Sequence, residues 1–185
     1  MDRTQDSAKR GKIVLFLGPM FAGKTTALIN EFVPGGSTVV LKPRVDTRYS
    51  KTEVVTHNGV SLPAEYIDNW AAYMMSEHTR VLIDEGQFVE SLAAICWALA
   101  VHGKDVFVAA LAGTSERDAW PQVSALLPIC SDIKFMTAPK CGICLSSVEP
   151  APFTALRSGA QKRDGVVTVG GSETYVPACR HCISP

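Results

Sequence analysis

This sequence of 185 residues lacks long apolar runs and carries no excess of positive over negative charge, or the reverse. No apolar stretch approaches the ~20 residues that a membrane-spanning helix needs. The run at 13–17 ends at Gly18-Pro19, without the length or the cleavage site of a secretory signal. Eighteen basic residues balance eighteen acidic ones, so composition gives no electrostatic reason to expect binding to nucleic acid or to an anionic membrane. We therefore expect a cytoplasmic protein without such partners.

The composition that remains is that of an ordinary globular protein. Apolar residues make up 46% of the chain and charged residues 19%, a balance that excludes global disorder. The length suits one domain with room for a small appendage. The six cysteines are expected to be metal ligands or free thiols more often than disulfides, because a cytoplasmic compartment is reducing.

Short apolar runs alternate with helical patterns over residues 12–138. Buried strands are predicted at 12–17, 38–41, 80–83, 105–111 and 132–136. Helices are predicted at 24–32, 68–78, 89–101 and 118–127, and a small hairpin at 53–62. This alternation predicts an α/β domain with a parallel sheet. Residues 1–11 are polar and unpatterned and are predicted to be a disordered tail, whereas 139–185 are predicted to form a loop-rich subdomain.

The segment after the first predicted strand fits the phosphate-binding pattern G-x-x-x-x-G-K-[ST]. It consists of Gly18, Pro19, Met20, Phe21, Ala22, Gly23, Lys24 and Thr25. In such a loop backbone N–H groups surround a polyphosphate, the lysine reaches its β- and γ-phosphates, and the threonine hydroxyl binds Mg²⁺. The alternative is a glycine-rich turn without a ligand. The N-K-x-D motif of GTPases is absent, so ATP is the expected nucleotide.

An acidic pair, Asp84-Glu85, ends the strand predicted at 80–83. Asp84 is suited to bind Mg²⁺ through a water molecule. The alternative is that the acidic pair is only a solvated turn. Glu85 has two chemical roles open to it. It would orient a water in an NTPase, or take a proton from a substrate hydroxyl in a kinase.

Two C-x₂-C pairs, Cys141/Cys144 and Cys179/Cys182, are separated by 34 residues. Two such turns complete a tetrahedral site of four thiolates, so structural Zn²⁺ is predicted. Free thiols, a disulfide pair, or His181 as a substitute ligand are the alternatives. Cys96 and Cys130 lie in apolar segments and are predicted to be core residues.

Together these motifs resemble those of the cytosolic-type (type II) thymidine kinases over nearly all of residues 12–182. The resembling segments are G-P-M-F-A-G-K-T-T at 18–26, D-T-R-Y at 46–49, I-D-E-G-Q-F at 83–88, A-A-L-A-G-T at 109–114, V-G-G-S-E-T-Y at 169–175, and the two cysteine pairs. The resemblance implies a RecA-like P-loop core with a zinc-held lasso subdomain, usually in a homotetramer. It also implies γ-phosphoryl transfer from Mg·ATP to the 5′-hydroxyl of thymidine or deoxyuridine, with feedback by dTTP.

The resemblance assigns roles to individual residues. It implies that Glu85 is the catalytic base, that Lys24 and Arg48 offset charge on the phosphoryl group, and that Asp46, Arg48, Asp84 and Gln87 join the phosphate-binding loop around ATP and Mg²⁺. The residues implied around thymidine are Met20, Phe88, Ser115, Trp120, Thr154, Val166, Val167, Thr168, Val169, Gly170 and Tyr175. For Met20, Phe88 and Thr154 a plain core role is the alternative, and for Asp46 and Arg48 a solvated loop.

The sequence departs from the family pattern on one side of the nucleobase. Ser115 and Trp120 stand where the family usually has phenylalanines, so the contacts to the base are expected to differ there. Two other functions are weighed against the kinase. A P-loop ATPase with a nucleic-acid-binding zinc ribbon is disfavoured by the neutral charge and the scattered basic residues. A non-catalytic zinc scaffold is disfavoured by the intact Lys24, Thr25 and acidic pair.

Overall fold

The computed structural model describes residues 10–45, 52–56, 59–159 and 170–183. In chain order, the strands are β1 (Ile13–Gly18), β2 (Thr38–Lys42), β3 (Glu53–Val55), β4 (Ser61–Pro63), β5 (Glu65–Tyr66), β6 (Arg80–Ile83), β7 (Asp105–Leu111), β8 (Asp132–Phe135), β9 (Phe153–Leu156) and β10 (Tyr175–Ala178). The helices are α1 (Lys24–Ile29), α2 (Leu92–Val101) and α3 (Pro121–Leu126), with 3-10 turns at Ile67–Tyr73, Gly86–Phe88, Leu127–Ile129 and His181–Ile183.

Six of these strands form one parallel sheet in the order β5-β2-β6-β7-β1-β8. Successive residues of β1 point to opposite faces: Leu15 packs into the apolar layer beneath α2 and α3, and Phe16 into the layer that contains Leu28 of α1. Both side chains are almost completely buried. The prediction of a parallel α/β sheet with strands buried on both faces is therefore confirmed.

The helices are shorter than the sequence pattern predicts. The prediction at 89–101 begins three residues too early, because Ser91 adopts a left-handed conformation with φ 55° that no α-helix accommodates. Residues predicted as a helix at 68–78 instead form the 3-10 turn Ile67–Tyr73, interrupted by the non-helical Asn69. The helix predicted at 118–127 begins only at Pro121, because Trp120 directly before it is extended.

Two antiparallel hairpins lie outside the main sheet. Strands β3 and β4 pair with each other, as the pattern at 53–62 predicts, although His57 and Asn58 of the predicted turn lie outside the described residues. Strands β9 and β10 form the second hairpin, in the region that holds the cysteine pairs. Ala138 and Ala151 form an isolated antiparallel bridge. The bounds of the domains, including the tail at 1–11, remain predictions.

No helix within the described ranges combines the length and apolar character needed to cross a bilayer.

Candidate functional site

The phosphate-binding loop connects the end of β1 to the start of α1. Gly23 has a φ of 81°, which glycine adopts without steric cost. The side-chain ammonium of Lys24 donates a hydrogen bond to the carbonyl of Pro19 at 2.5 Å, so the lysine folds back over the loop. The predicted strand–loop–helix context of the motif is therefore present.

Thr25 and Asp84 meet at the edge of the sheet where the strands β1 and β6 end. The Thr25 hydroxyl lies 3.2 Å from each carboxylate oxygen of Asp84, and Asp84 is buried. A hydroxyl and a carboxylate are hard oxygen ligands of the kind that Mg²⁺ prefers. These two side chains are suited to bind a magnesium ion beside the phosphate-binding loop.

Glu85 is oriented by the turn that follows β6. Its backbone is left-handed, with a φ of 52°, and Gly86 follows because a Cβ there would come within 2.7 Å of the Val108 side chain. The Gln87 amide nitrogen donates to the Glu85 carboxylate, while the Gln87 carbonyl oxygen accepts the backbone N–H of Leu111 at 3.0 Å. Gln87, 1% exposed, thus joins the carboxylate to the end of β7.

The phosphate-binding loop and the acidic pair line one cleft. Lys24, Thr25, Asp84 and Glu85 face it together with the last residues of β7. A cationic ammonium, a hydroxyl with a carboxylate, and a second carboxylate are the groups that phosphoryl transfer uses to bind phosphates, hold Mg²⁺ and accept a proton. The arrangement is chemically able to transfer a phosphoryl group from a nucleotide to an acceptor.

Two of the residues predicted around the nucleobase, Phe88 and Trp120, lie together. The rings of Phe88 and Trp120 meet edge to face, with centroids 5.5 Å apart. The indole Nε1 of Trp120 is buried and has no hydrogen-bond partner among the described residues. The Ser115 hydroxyl donates to the carboxylate of Glu116. On this side the ring of Trp120 therefore provides the aromatic contact to Phe88.

Met20 and Thr154 are in direct contact, although the sequence predicts a domain boundary near residue 138 between them. The backbone N–H of Met20 donates to the Thr154 hydroxyl at 3.0 Å, and Thr154 is buried on β9. Sequence reasoning placed both residues near the base but missed this bond, because no local pattern connects residues 134 positions apart. It also did not predict the hydrogen bond that the Arg117 guanidinium donates to the Ile183 carbonyl at 2.6 Å.

The remaining predicted ligands of thymidine and ATP are described only in part. Asp46, Arg48, Val166, Val167, Thr168 and Val169 lie outside the described residues. Gly170 is described, and a Cβ there would meet the Thr174 hydroxyl oxygen at 2.5 Å. The backbone N–H of Tyr175, at the start of β10, donates to the Gly171 carbonyl at 3.0 Å. The Gly170–Tyr175 turn is therefore tightly packed against itself.

The four cysteines of the two C-x₂-C pairs form one cluster, with all sulfur atoms within 4.8 Å of one another. The Cys144 and Cys179 sulfurs are 3.9 Å apart, close to the ~3.8 Å edge of a tetrahedron with Zn–S bonds of about 2.3 Å. Burial raises the pKa of the Cys141 thiol, but the backbone N–H groups of Cys179, Cys144 and Ile143 outweigh it and lower the pKa to about 6. The cluster fits a zinc ion.

The other cysteines and His181 do not belong to this cluster. None of the six cysteines forms a disulfide. Burial raises the pKa of both Cys96 and Cys130, the latter to about 11, as expected of thiols packed against the core. The exposed His181 contacts the Glu149 carboxylate through Nε2 at 3.0 Å. The thiols rather than the imidazole therefore form the candidate metal site.

Comparisons with known proteins identify the family of this chain. The family model described as "Thymidine kinase" matches residues 11–183. The chain is 34% identical to "Thymidine kinase, cytosolic" of Homo sapiens, an alignment covering 95% of this chain and 74% of that protein. It is 32% identical to "Thymidine kinase a" of Arabidopsis thaliana, over 97% and 78%, and 33% identical to "Thymidine kinase" of Myxoma virus (strain Lausanne), over 93% and 96%. The chain belongs to the thymidine kinase family.

Proposed function

We propose that this protein transfers the γ-phosphoryl group of ATP to the 5′-hydroxyl of thymidine, and of deoxyuridine, in deoxynucleotide salvage. Family membership supports the reaction and substrate. The observation that carries the proposal is the convergence of Lys24, Thr25, Asp84 and Glu85 on one cleft. The matching relatives are named thymidine kinases. We propose the same activity for this chain.

In this proposal each polar group of the cleft has one role. Glu85 accepts the proton of the 5′-hydroxyl as that oxygen bonds to the γ-phosphorus, while the bond from the γ-phosphorus to the bridging oxygen breaks and ADP leaves. Lys24, with Arg48, offsets the charge on the transferring phosphoryl group. Thr25 and Asp84 would hold Mg²⁺, and Asp46 is proposed to join them; the ion would neutralise charge on the phosphate oxygens. Gln87 positions Glu85 through the bond described above.

On the acceptor side, two sets of residues are proposed to surround thymidine. Met20, Phe88, Ser115, Trp120 and Thr154 form the wall of the base site. The segment Val166, Val167, Thr168, Val169 and Gly170 is proposed to cover the base, with Tyr175 bracing it. Domain bounds of 12–138 for the P-loop core and 139–185 for the zinc-binding lasso subdomain are part of the same proposal.

One assay tests the proposal directly. ATP consumption by the purified protein is measured alone, with thymidine, with deoxyguanosine, and with single-stranded polynucleotide. Stimulation by thymidine, with thymidine monophosphate as product, is the expected result. Stimulation by polynucleotide but not by thymidine would favour the nucleic-acid-dependent ATPase instead.

Replacing Gln87 with methionine is expected to lower both turnover and stability. The near-isosteric side chain cannot hold the Glu85 carboxylate, so a loss of ~10-fold or more in kcat follows from misplacement of the base. The substitution also leaves the Leu111 N–H unpaired, which is expected to lower the free energy of unfolding by ~1–3 kcal/mol. Steady-state kinetics and urea unfolding measure the two effects. Gln122→Met on α3 is the control, and equal kinetics for the two variants would contradict the role of Gln87.

We further propose a cytoplasmic homotetramer that is inhibited by dTTP. Helix α2 supports self-association: it has no charged residue, and Ala94, Trp97 and Val101 form an exposed stripe on one face. Trp97 is 52% exposed. In an antiparallel pair of α2 helices, the exposed Glu90 of one copy would lie towards the exposed His102 of the other. Such a self-complementary surface suits a symmetric contact between two copies.

Trp97→Glu is therefore expected to reduce the size of the assembly. A charge placed on the apolar stripe would be desolvated between two copies without a paired countercharge, which opposes association. Light scattering coupled to size exclusion measures the mass. Val148→Glu, at a residue that is 91% exposed in the zinc region, is the control. An unchanged assembly in the Trp97 variant would exclude this face from the contact.

A further inference from the structure

The bond between Met20 and Thr154 connects two regions with separate tasks. Met20 is the third residue of the phosphate-binding loop, whose backbone N–H groups serve the phosphates in proteins of this kind. Here one of those N–H groups is held by a side chain, the Thr154 hydroxyl, at 3.0 Å. Thr154 is 6% exposed, so water has little access to compete for the bond.

Thr154 is itself connected to the thiol cluster by a short series of contacts. It pairs with Pro177 across the β9–β10 hairpin. The Pro177 carbonyl accepts the backbone N–H of Gly142 at 2.7 Å, and Gly142 follows Cys141 directly. Cys179 lies two residues after Pro177. The thiol cluster is therefore connected to β10 twice, through Gly142 and through Cys179, and the hairpin presents the Thr154 hydroxyl to the phosphate-binding loop.

We propose that Thr154 is a positioning residue for the ATP-binding loop, through which the thiol-bearing region (residues 139–159 and 170–183) sets the conformation of that loop. The proposal rests on ATP being the ligand of the loop, as proposed above. It differs from a role at the thymine, in which the methyl group or the hydroxyl hydrogen of the threonine would contact the base. The Met20 N–H uses one acceptor position of this hydroxyl, so the bond acts on the phosphate-binding loop whichever group the hydroxyl hydrogen faces.

Two substitutions separate the hydroxyl from the methyl group. Thr154→Val keeps the shape and removes the acceptor, whereas Thr154→Ser keeps the acceptor and removes the methyl. Affinity for a non-hydrolysable ATP analogue with Mg²⁺ is measured without any nucleoside. We expect the valine variant to bind the analogue ~5-fold or more weakly, which is the effect of one net hydrogen bond, and the serine variant to bind it as the wild type does.

Steady-state kinetics gives a second measurement, the KM for ATP, which would not change if Thr154 contributed only to overall stability. The valine variant is expected to raise the KM for ATP by a similar factor, with a smaller change in kcat. Zinc content and melting temperature are measured on every variant to show that the fold is retained. If the valine variant does not fold, Thr154→Ala compared with Thr154→Ser gives the same contrast between loss and retention of the acceptor.

Each outcome of this series decides the proposal. Analogue affinity that is unchanged in the valine variant, or equally reduced in the valine and serine variants, overturns it. A serine variant that loses only thymidine affinity, beside a valine variant that loses nothing, assigns Thr154 to the base instead. Wild-type protein that binds the analogue without thymidine-stimulated turnover overturns the proposed function but leaves the Thr154 comparison readable. Wild-type protein that does not bind the analogue overturns both.

Discussion

Glutamine in place of Glu85 is expected to lower turnover by ~10²-fold or more, because general-base catalysis contributes about 10²–10⁴. The amide has nearly the shape of the carboxylate, and its oxygen still accepts the hydrogen bond that Gln87 donates to Glu85. It cannot take up the proton of the 5′-hydroxyl. Rapid-quench measurement of thymidine monophosphate formation is the direct readout, since it separates the chemical step from product release.

Binding and chemistry should respond differently to the Glu85→Gln change. Thymidine affinity should change little, because the variant retains the size and hydrogen-bonding geometry of the site. The exposed Glu77 provides a control, and Glu77→Gln should leave both quantities at their wild-type values. A Glu85 variant that formed product at a near-normal rate would show that another group takes the proton.

The nucleotide side of the cleft was accessible from sequence because its geometry is local. The phosphate-binding loop is a contiguous pattern between a strand and a helix, and Asp84-Glu85 follows directly on a strand that ends at the same edge of the parallel sheet. The meeting of Thr25 with Asp84 follows from that topology. Even so, the pattern left both roles of Glu85 open, and the resemblance to a family chose between them.

Contacts between distant parts of the chain were not accessible in the same way. The Met20–Thr154 and Arg117–Ile183 bonds span 134 and 66 residues, and no periodicity marks either pair. Backbone exceptions also escaped prediction: the left-handed Ser91 shortens α2, although serine carries no signal for that conformation. Propensity and periodicity describe average backbone behaviour, whereas these features depend on tertiary packing.

Removal of the proposed zinc ion is expected to unfold the thiol-bearing region before the parallel sheet. The two apolar clusters in that region are small: Ala138, Cys141, Ala151 and Cys179 in one, and Ala155, Val176 and Ala178 in the other. Such clusters bury too little apolar surface to hold the loops in place. A closed site of four thiolates supplies on the order of 10 kcal/mol in small zinc-binding domains. The metal is therefore expected to be the main stabiliser of the β9–β10 hairpin.

Chelation and Cys144→Ser should have the same consequences. We expect about one zinc per chain in the wild type, loss of that zinc in the variant, and loss of thymidine binding before the α/β core melts. Thymidine binding is lost first because Thr154 and Tyr175, which are proposed to lie around thymidine, belong to the hairpin. Hydrogen exchange locates the unfolding, and elemental analysis counts the metal. Cys130→Ser is the matched control, since its hydroxyl keeps the bond that the thiol donates to the Leu126 carbonyl. Freshly purified wild-type protein without zinc, yet with a protected hairpin, would show that packing alone holds this region.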